Sequence, residues 1–183
     1  MDIFAHGLWA NALSRKTNQI LDKKSKPRFS IGWATFWGIF PDLFAFSIPF
    51  ILRIFSVLSG SLALSNFLQR PPVAEENVFN NGFNSAHNLY PFSHSLIIFI
   101  VVFLIVWFIY KRPRFELLGW ALHIVIDIFS HSLAFFPTPF LFPLSEWRFP
   151  YGVQWSGQVY MIINYSLLFL IYAYFIISRK KIN

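Results

Sequence analysis

Four long apolar stretches dominate this chain and restrict the folds that it can adopt. They cover residues 31–52, 92–110, 115–136 and 158–178. Each approaches or exceeds the roughly 20 residues that a helix needs to cross the hydrocarbon core of a bilayer. Charged residues make up only 13% of the chain, against about 25% in soluble domains. The sequence therefore predicts a single membrane-embedded domain, residues 1–183, with the all-α fold of a four-span polytopic helical bundle.

Basic residues are concentrated in three of the segments that flank these stretches. Six of them lie between positions 15 and 28 beside one acidic residue, and others occupy residues 111–114 and 179–181. The remaining connections contain few basic residues. Since positively charged segments stay on the cytoplasmic side, we expect four spans with both termini in the cytoplasm. Membrane orientation also accounts for the net charge of +7, so the expected partner is the lipid bilayer and not nucleic acid.

The segments outside the four stretches have distinct compositions. Residues 2–13 are apolar but too short to span, which predicts a short N-terminal helix, either re-entrant or amphipathic in the interface. Residues 59–91 contain many turn formers and predict a long loop. Residues 137–157 combine prolines with large aromatic side chains, which predicts an ordered lid or interfacial segment. The absence of cysteine excludes disulfides and thiolate-bound metal.

The third apolar stretch carries three titratable side chains, His123, Asp127 and His131. Steps of four residues place them within about an 80° arc of one helix face. Ionisable groups at membrane depth are costly, so they indicate a functional site. Such a face can hold a divalent metal. The role of His131 is open between a metal ligand, a hydrogen-bond donor to a ligand and a proton shuttle.

Depth along each helix tests whether other titratable groups can join this face. At 1.5 Å per residue, His123, Asp127 and Asp42 fall about 10, 16 and 16 Å from the inner boundary. His6 reaches about 13 Å if the N-terminal helix inserts. His94 begins the second span, which places it near the outer boundary, about two turns from the others. Tilt or an inward shift of that span would have to close the gap.

The backbone around Asp42 supports a polar cavity. Pro41 is expected to kink or break the first span. Non-helical backbone at that depth is tolerated only when it is buried in protein or lines a wet cavity. Imidazole and carboxylate donors suit zinc above all, with manganese and iron as alternatives, and the lack of thiolates argues against a structural zinc site. A bound metal of this kind activates water for hydrolysis.

Five segments resemble the signature elements of one protein family. They are Phe4-Ala5-His6-Gly7, Phe40-Pro41-Asp42-Leu43, Tyr90-Pro91-Phe92-Ser93-His94-Ser95-Leu96, His123-x3-Asp127-x3-His131 and Gly152-Val153-Gln154-Trp155. Through them, most of the chain resembles bacterial multi-pass inner-membrane proteins described as metal-dependent hydrolases and related to the LexA-binding inner-membrane-associated hydrolase group. The resemblance implies a location in the bacterial inner membrane and a metal-dependent hydrolase activity.

The resemblance also implies a set of metal ligands. These are His6, Asp42, His94, His123 and Asp127. The carboxylate of Asp127 would be able to bridge two ions. The order of the ligands is also similar, as a pattern only, to zinc-dependent phospholipases C and related nucleases. Relatives often carry a His-Arg-Gly element before the Ser-His-Ser signature, but here His87 is followed by Asn-Leu, so His87 is left out of the site.

Three functions are compatible with these features. The first is a membrane-bound hydrolase in which a His/Asp-ligated divalent metal activates water against an ester or phosphoester, including one in a lipid or amphiphile. The second is a transporter or a metal- or proton-handling protein, because buried His/Asp chains also act as relays. The third is a non-catalytic membrane protein with a structural metal. The oligomeric state is left open by the sequence.

Overall fold

The computed structural model describes residues 1–61 and 76–180 of the chain. These residues form helices and connecting segments without any β-strand in the described ranges, which confirms the all-α class. The helices are α1 Ile3–Lys23, α2 Ile31–Ala45, α3 Ser47–Leu58, α4 Glu76–Ser93, α5 Leu96–Tyr110, α6 Leu118–Ser130 and α7 Gln158–Lys180.

One helix is long and apolar enough to cross a membrane by itself. It is α7, in which Gln158–Ser178 forms a stretch of 21 residues. Two helix pairs qualify only if each bent pair counts as one span: α2 with α3, bent by 74°, and Asn84–Ser93 with α5, bent by 57°. The third apolar stretch forms α6, which has 13 residues and is therefore about 20 Å long. The described residues thus contain one such helix, or three with the bent pairs, where the sequence predicts four.

The bend in the first apolar stretch lies beyond the expected position. Pro41 is inside α2, which continues to Ala45, and the chain turns at Phe46. The bend therefore comes five residues after the proline, where Phe46 leaves the helical conformation. Pro49 then lies in the first turn of α3, where a missing backbone N–H has no helical partner to lose.

Helical structure extends beyond the sequence prediction in two places. Helix α1 has 21 residues where a short N-terminal helix was expected; its start is capped by Asp2, which accepts a hydrogen bond from the Ala5 backbone N–H. Helix α4 begins at Glu76, so the prediction of a loop across 59–91 is wrong for its last part, whereas residues 62–75 lie outside the described ranges. Packing of α4 on α2 and α3 overrides the local preference of its turn formers.

Helices α1, α2 and α6 approach each other closely because small residues lie between them. A Cβ atom on Gly38 would come within 2.5 Å of the Ala10 Cβ, and one on Gly119 within 2.2 Å of the Ala34 carbonyl oxygen. Small residues allow such close helix contacts in membrane proteins. These close contacts allow polar side chains of the three helices to meet: His6 of α1 and Asp42 of α2 lie next to the His123 and Asp127 pair of α6.

The segment between α6 and α7 is ordered against the helices. The backbone N–H groups of Val153 and Trp155 donate to the carbonyls of Phe129 and Ser130 at 2.8 and 3.0 Å. The Leu96 N–H at the start of α5 donates to the Phe140 carbonyl at 3.0 Å. The segment therefore joins the end of α6 to the break between α4 and α5.

Candidate metal centre

Four side chains converge on one point: Asp42 from α2, His94 from the break between α4 and α5, and His123 and Asp127 from α6. His94 Nε2 lies 3.1 Å from His123 Nε2 and 3.5 Å from both Asp42 Oδ1 and Asp127 Oδ2. His123 Nε2 lies 3.2 Å from Asp127 Oδ2 and 3.7 Å from Asp42 Oδ1. All four atoms are within 4.8 Å of one another. Tetrahedral zinc bonds of 2.0–2.2 Å would place ligand atoms about 3.3–3.6 Å apart, so the cluster has dimensions that can hold a metal ion.

The Nδ1 contacts of His94 and His123 bear on whether their Nε2 atoms, which face the cluster, carry a proton or a free lone pair. His123 Nδ1 lies 2.7 Å from the Gly38 carbonyl oxygen, and His94 Nδ1 lies 3.2 Å from the Tyr90 carbonyl oxygen. A carbonyl only accepts, so His123 Nδ1 carries the proton and donates it, whereas His94 Nδ1 also lies 2.9 Å from the Ser93 hydroxyl, which can donate or accept. In the neutral ring of His123 the Nε2 lone pair then faces His94 Nε2 and the two carboxylates. A metal ion at this point would be bound by all four atoms, and a hydrogen bond from ligand to backbone is the usual way to orient metal-binding histidines.

The two oxygens of Asp127 have different surroundings. Oδ2 belongs to the four-atom cluster and is buried without a hydrogen-bond partner in the structure. Oδ1 lies 2.6 Å from the Met1 amino nitrogen, 2.9 Å from His6 Nε2 and 3.4 Å from His131 Nε2. A buried carboxylate oxygen that lacks a donor needs another source of positive charge. The carboxylate therefore faces the four-atom cluster on one side and two more histidines on the other.

His6 lies beside the cluster rather than in it. Its ring stacks on that of His123 with the ring centres 3.6 Å apart. Its Nε2 lies 2.9 Å from Asp127 Oδ1, and its buried Nδ1 has no hydrogen-bond partner in the structure. A buried imidazole nitrogen without a partner is costly, and the contact with Asp127 makes His6 a candidate ligand on the Oδ1 side.

His131 is also outside the four-atom cluster. It follows the last residue of α6 in an extended conformation. Its Nδ1 lies 2.9 Å from the Phe136 carbonyl oxygen, which makes Nδ1 the donor and leaves Nε2 as an acceptor directed at the Met1 nitrogen, 3.0 Å away, and at Asp127.

The structure brings His94 to the same point as the other ligands, although counting along the second span places it near the outer boundary. His94 lies at the break between α4 and α5. The next residue, Ser95, caps the start of α5, where its side chain accepts hydrogen bonds from the backbone N–H groups of Ile97 and Ile98. Because the helix α4 precedes α5 and is bent against it by 57°, counting residues along the apolar stretch does not give the position of His94 relative to the other ligands. The ring of Tyr90 stacks on His94 at 3.7 Å and holds it in place.

Several supporting residues were not identified from the sequence. Trp120 Nε1 donates to the Ser93 carbonyl at 2.6 Å and links α6 to the segment that carries His94. The Gly38 carbonyl orients His123, and the Met1 nitrogen contacts Asp127. The spacing of Gly38 and Asp42, one helical turn apart, is the only sequence signal that associates any of these with the site.

His87, left out of the site on sequence grounds, is not one of the four clustered residues. Its side chain is exposed and stacks on Phe136 with ring centres 4.2 Å apart.

Comparisons of the chain with models of protein families, with curated proteins and with solved structures find no match.

Proposed function

We propose that this protein is a membrane-bound metal-dependent hydrolase that cleaves an ester or phosphoester, including one in a lipid or amphiphile. One observation carries the proposal: two imidazole nitrogens and two carboxylate oxygens, all on buried or nearly buried side chains, surround one point at ligand spacing. The resemblance to bacterial inner-membrane hydrolases supports the reaction class. Zinc is the proposed ion, and manganese and iron accept the same donors.

The open side of the cluster lies at Asp42. Its side chain is 13% exposed, whereas those of His94, His123 and Asp127 are fully buried. A bound divalent ion would act as a Lewis acid toward water and a carbonyl or phosphoryl oxygen. The chain's own residues supply the rest: two oriented imidazoles and two carboxylates hold the charge, and the apolar helices around them exclude bulk water.

His131 is proposed to move a proton at Nε2. Its Nδ1–H donates to the Phe136 carbonyl, which leaves Nε2, 3.0 Å from the Met1 amino nitrogen and 3.4 Å from Asp127 Oδ1, as the ring nitrogen that would exchange a proton. His131 is 8% exposed, against 1% or less for His6, His94 and His123, so it is the least buried of these four histidines. General acid–base catalysis of this type contributes about 10²–10⁴ to a rate.

We further propose four spans in the bacterial inner membrane with both termini in the cytoplasm. The basic connections α1–α2 and α5–α6 lie at one end of the molecule, where the Ser30 backbone N–H is 3.2 Å from Glu116 Oε1. Lys26 and Arg112 line the same cavity at that end. Such a grouping agrees with the positive-inside rule. The short α6 would need the flanking ordered segment to complete its crossing.

Purified protein in lipid nanodiscs tests the function. Release of product from phospholipids and from chromogenic esters and phosphoesters is measured for wild type, His94→Ala, His131→Gln and the control His87→Ala. We expect His94→Ala to abolish turnover and His131→Gln to lower it about 10²-fold with its metal retained. His87→Ala should match wild type. Metal or proton flux into proteoliposomes without any hydrolysis would instead identify a transporter, and bound metal without either activity a structural site.

A further inference from the structure

A cavity of about 730 Å³ lies between α1, α2, α6 and the two basic connections. Its walls are apolar toward the interior, where Ala10, Leu13 and Leu122 contribute side chains. Its rim is basic and includes Lys26, Arg112 and Arg114 (Arg28 also lines it, but pairs with Asp22). The volume is within the range of about 300–1,000 Å³ that is usual for small-molecule sites.

The charges at the rim are poorly neutralised by the protein. Among the described residues, no carboxylate lies within ion-pair distance of Lys26, Arg112 or Arg114. Glu116 is the one acid that lines the cavity, and it accepts a hydrogen bond from the Ser30 backbone N–H. The guanidinium of Arg114 lies 4.6 Å from the centre of the Tyr110 ring. The rim therefore presents positive charge to whatever enters the cavity.

We propose that the cavity binds an anionic phospholipid, with the phosphate among Lys26, Arg112 and Arg114 and an acyl chain against Leu13 and Leu122. Basic pockets between helices at a membrane surface bind anionic headgroups in this way. An apolar interior beneath a cationic rim matches an acyl chain beneath a phosphate. Neither a neutral lipid nor a free anion matches both parts.

This binding site is independent of the proposed hydrolase activity. No candidate metal ligand lines the cavity, although Leu122 precedes His123 on α6. Loss of metal or of catalysis therefore leaves the lipid proposal intact, and absence of lipid binding leaves the hydrolase proposal intact.

Native mass spectrometry of the full chain in detergent tests the proposal with dioleoyl phosphatidylglycerol and dioleoyl phosphatidylcholine as probes. We expect one phosphatidylglycerol per chain, bound at least about tenfold more tightly than phosphatidylcholine, since three basic residues line the cavity and attract the anionic headgroup. The triple variant Lys26→Gln, Arg112→Gln, Arg114→Gln should lose that preference. The control Lys16→Gln, Lys23→Gln, Lys24→Gln removes the same charge from outside the cavity and should retain it.

A second variant tests the apolar part of the site without removing charge. Thr17 also lines the cavity, and Thr17→Trp should fill it and weaken phosphatidylglycerol binding at least about tenfold, or 1.4 kcal/mol. Thermal unfolding of each variant checks that it is folded. Equal binding of the two lipids, or equal loss in both triple variants, would overturn the proposal. Displacement of the lipid by millimolar inorganic phosphate would overturn it too, because the ligand would then be an anion without a chain.

Discussion

The Nε2 atoms of His94 and His123 lie 3.1 Å apart, although the two residues belong to different helical segments. His123 donates from its other nitrogen to the Gly38 carbonyl, and the other nitrogen of His94 lies near both the Tyr90 carbonyl and the Ser93 hydroxyl. Two ring nitrogens at this separation need a proton or a metal ion between them. The adjacent oxygens of Asp42 and Asp127 favour the metal ion, because they add two further ligands.

Replacement of His123 tests this reading directly. His123→Ala removes one of four ligands, and we expect the purified protein to lose the ion of the four-atom cluster, because the affinity of that site should fall more than about tenfold, given that even residues supporting a ligand alter affinity 10–100-fold. Elemental analysis after extensive dialysis measures it. His87→Ala, which removes an exposed histidine, is the matched control. Equal metal content in the two variants would refute the four-ligand site.

His6 is predicted to hold a second ion together with Asp127 Oδ1. Its Nε2 is 2.9 Å from that oxygen, whereas Oδ2 belongs to the first site. The wild-type protein should therefore bind two ions, and His6→Ala about one. Asp127→Ala should lose both, because the carboxylate contributes to each site. Titration with zinc followed by isothermal calorimetry gives the counts; two ions retained in His6→Ala would contradict the assignment.

The contact at Gly119 is predicted to control both stability and the metal site. A Cβ there would lie 2.2 Å from the Ala34 carbonyl oxygen, so Gly119→Ala must push α6 away from α2. We expect a loss of about 1–3 kcal/mol in stability and weaker metal binding, because the Gly38 carbonyl that orients His123 lies on α2. Thermal unfolding in detergent measures the first effect.

Gly32→Ala is the control for this substitution. Its nearest neighbour would be Ser30 Oγ at 3.9 Å, an ordinary contact. Alanine also favours the helix over glycine by about 1 kcal/mol, so this variant should be at least as stable as wild type. A Gly119→Ala protein that unfolds at the wild-type temperature would show that the close helix contact is not needed.

The orientation in the membrane can be tested without background, because the chain has no cysteine. Single variants Lys24→Cys, Arg112→Cys and Leu144→Cys are expressed and treated with an impermeant maleimide on intact spheroplasts. Leu144 is highly exposed in the segment that should face outward, so it should react at once. The other two should react only after permeabilisation. Labelling of Lys24→Cys in intact cells would reverse the proposed topology.

Some features of this protein follow from local rules alone. The helical class follows from the length of the apolar stretches, since a backbone in lipid must satisfy its own hydrogen bonds. The adjacency of His123 and Asp127 follows from the helical repeat. The types of donor in the cluster follow from composition, because a chain without cysteine can offer only imidazole and carboxylate.

Only the tertiary structure decided which of these donors meet. The position of His94 depends on the break between α4 and α5, which are bent by 57°, and because the chain turns at Phe46 and not at Pro41, Asp42 stays within α2. Helix α4 forms where turn residues predict a loop, because packing outweighs local preference. A position along a helix is set by neighbouring residues, but the distance between two helices is set by side chains far apart in the chain. The sequence alone therefore determined the donors and the helices, and the packing of α1, α2 and α6 through Gly38 and Gly119 decided the site.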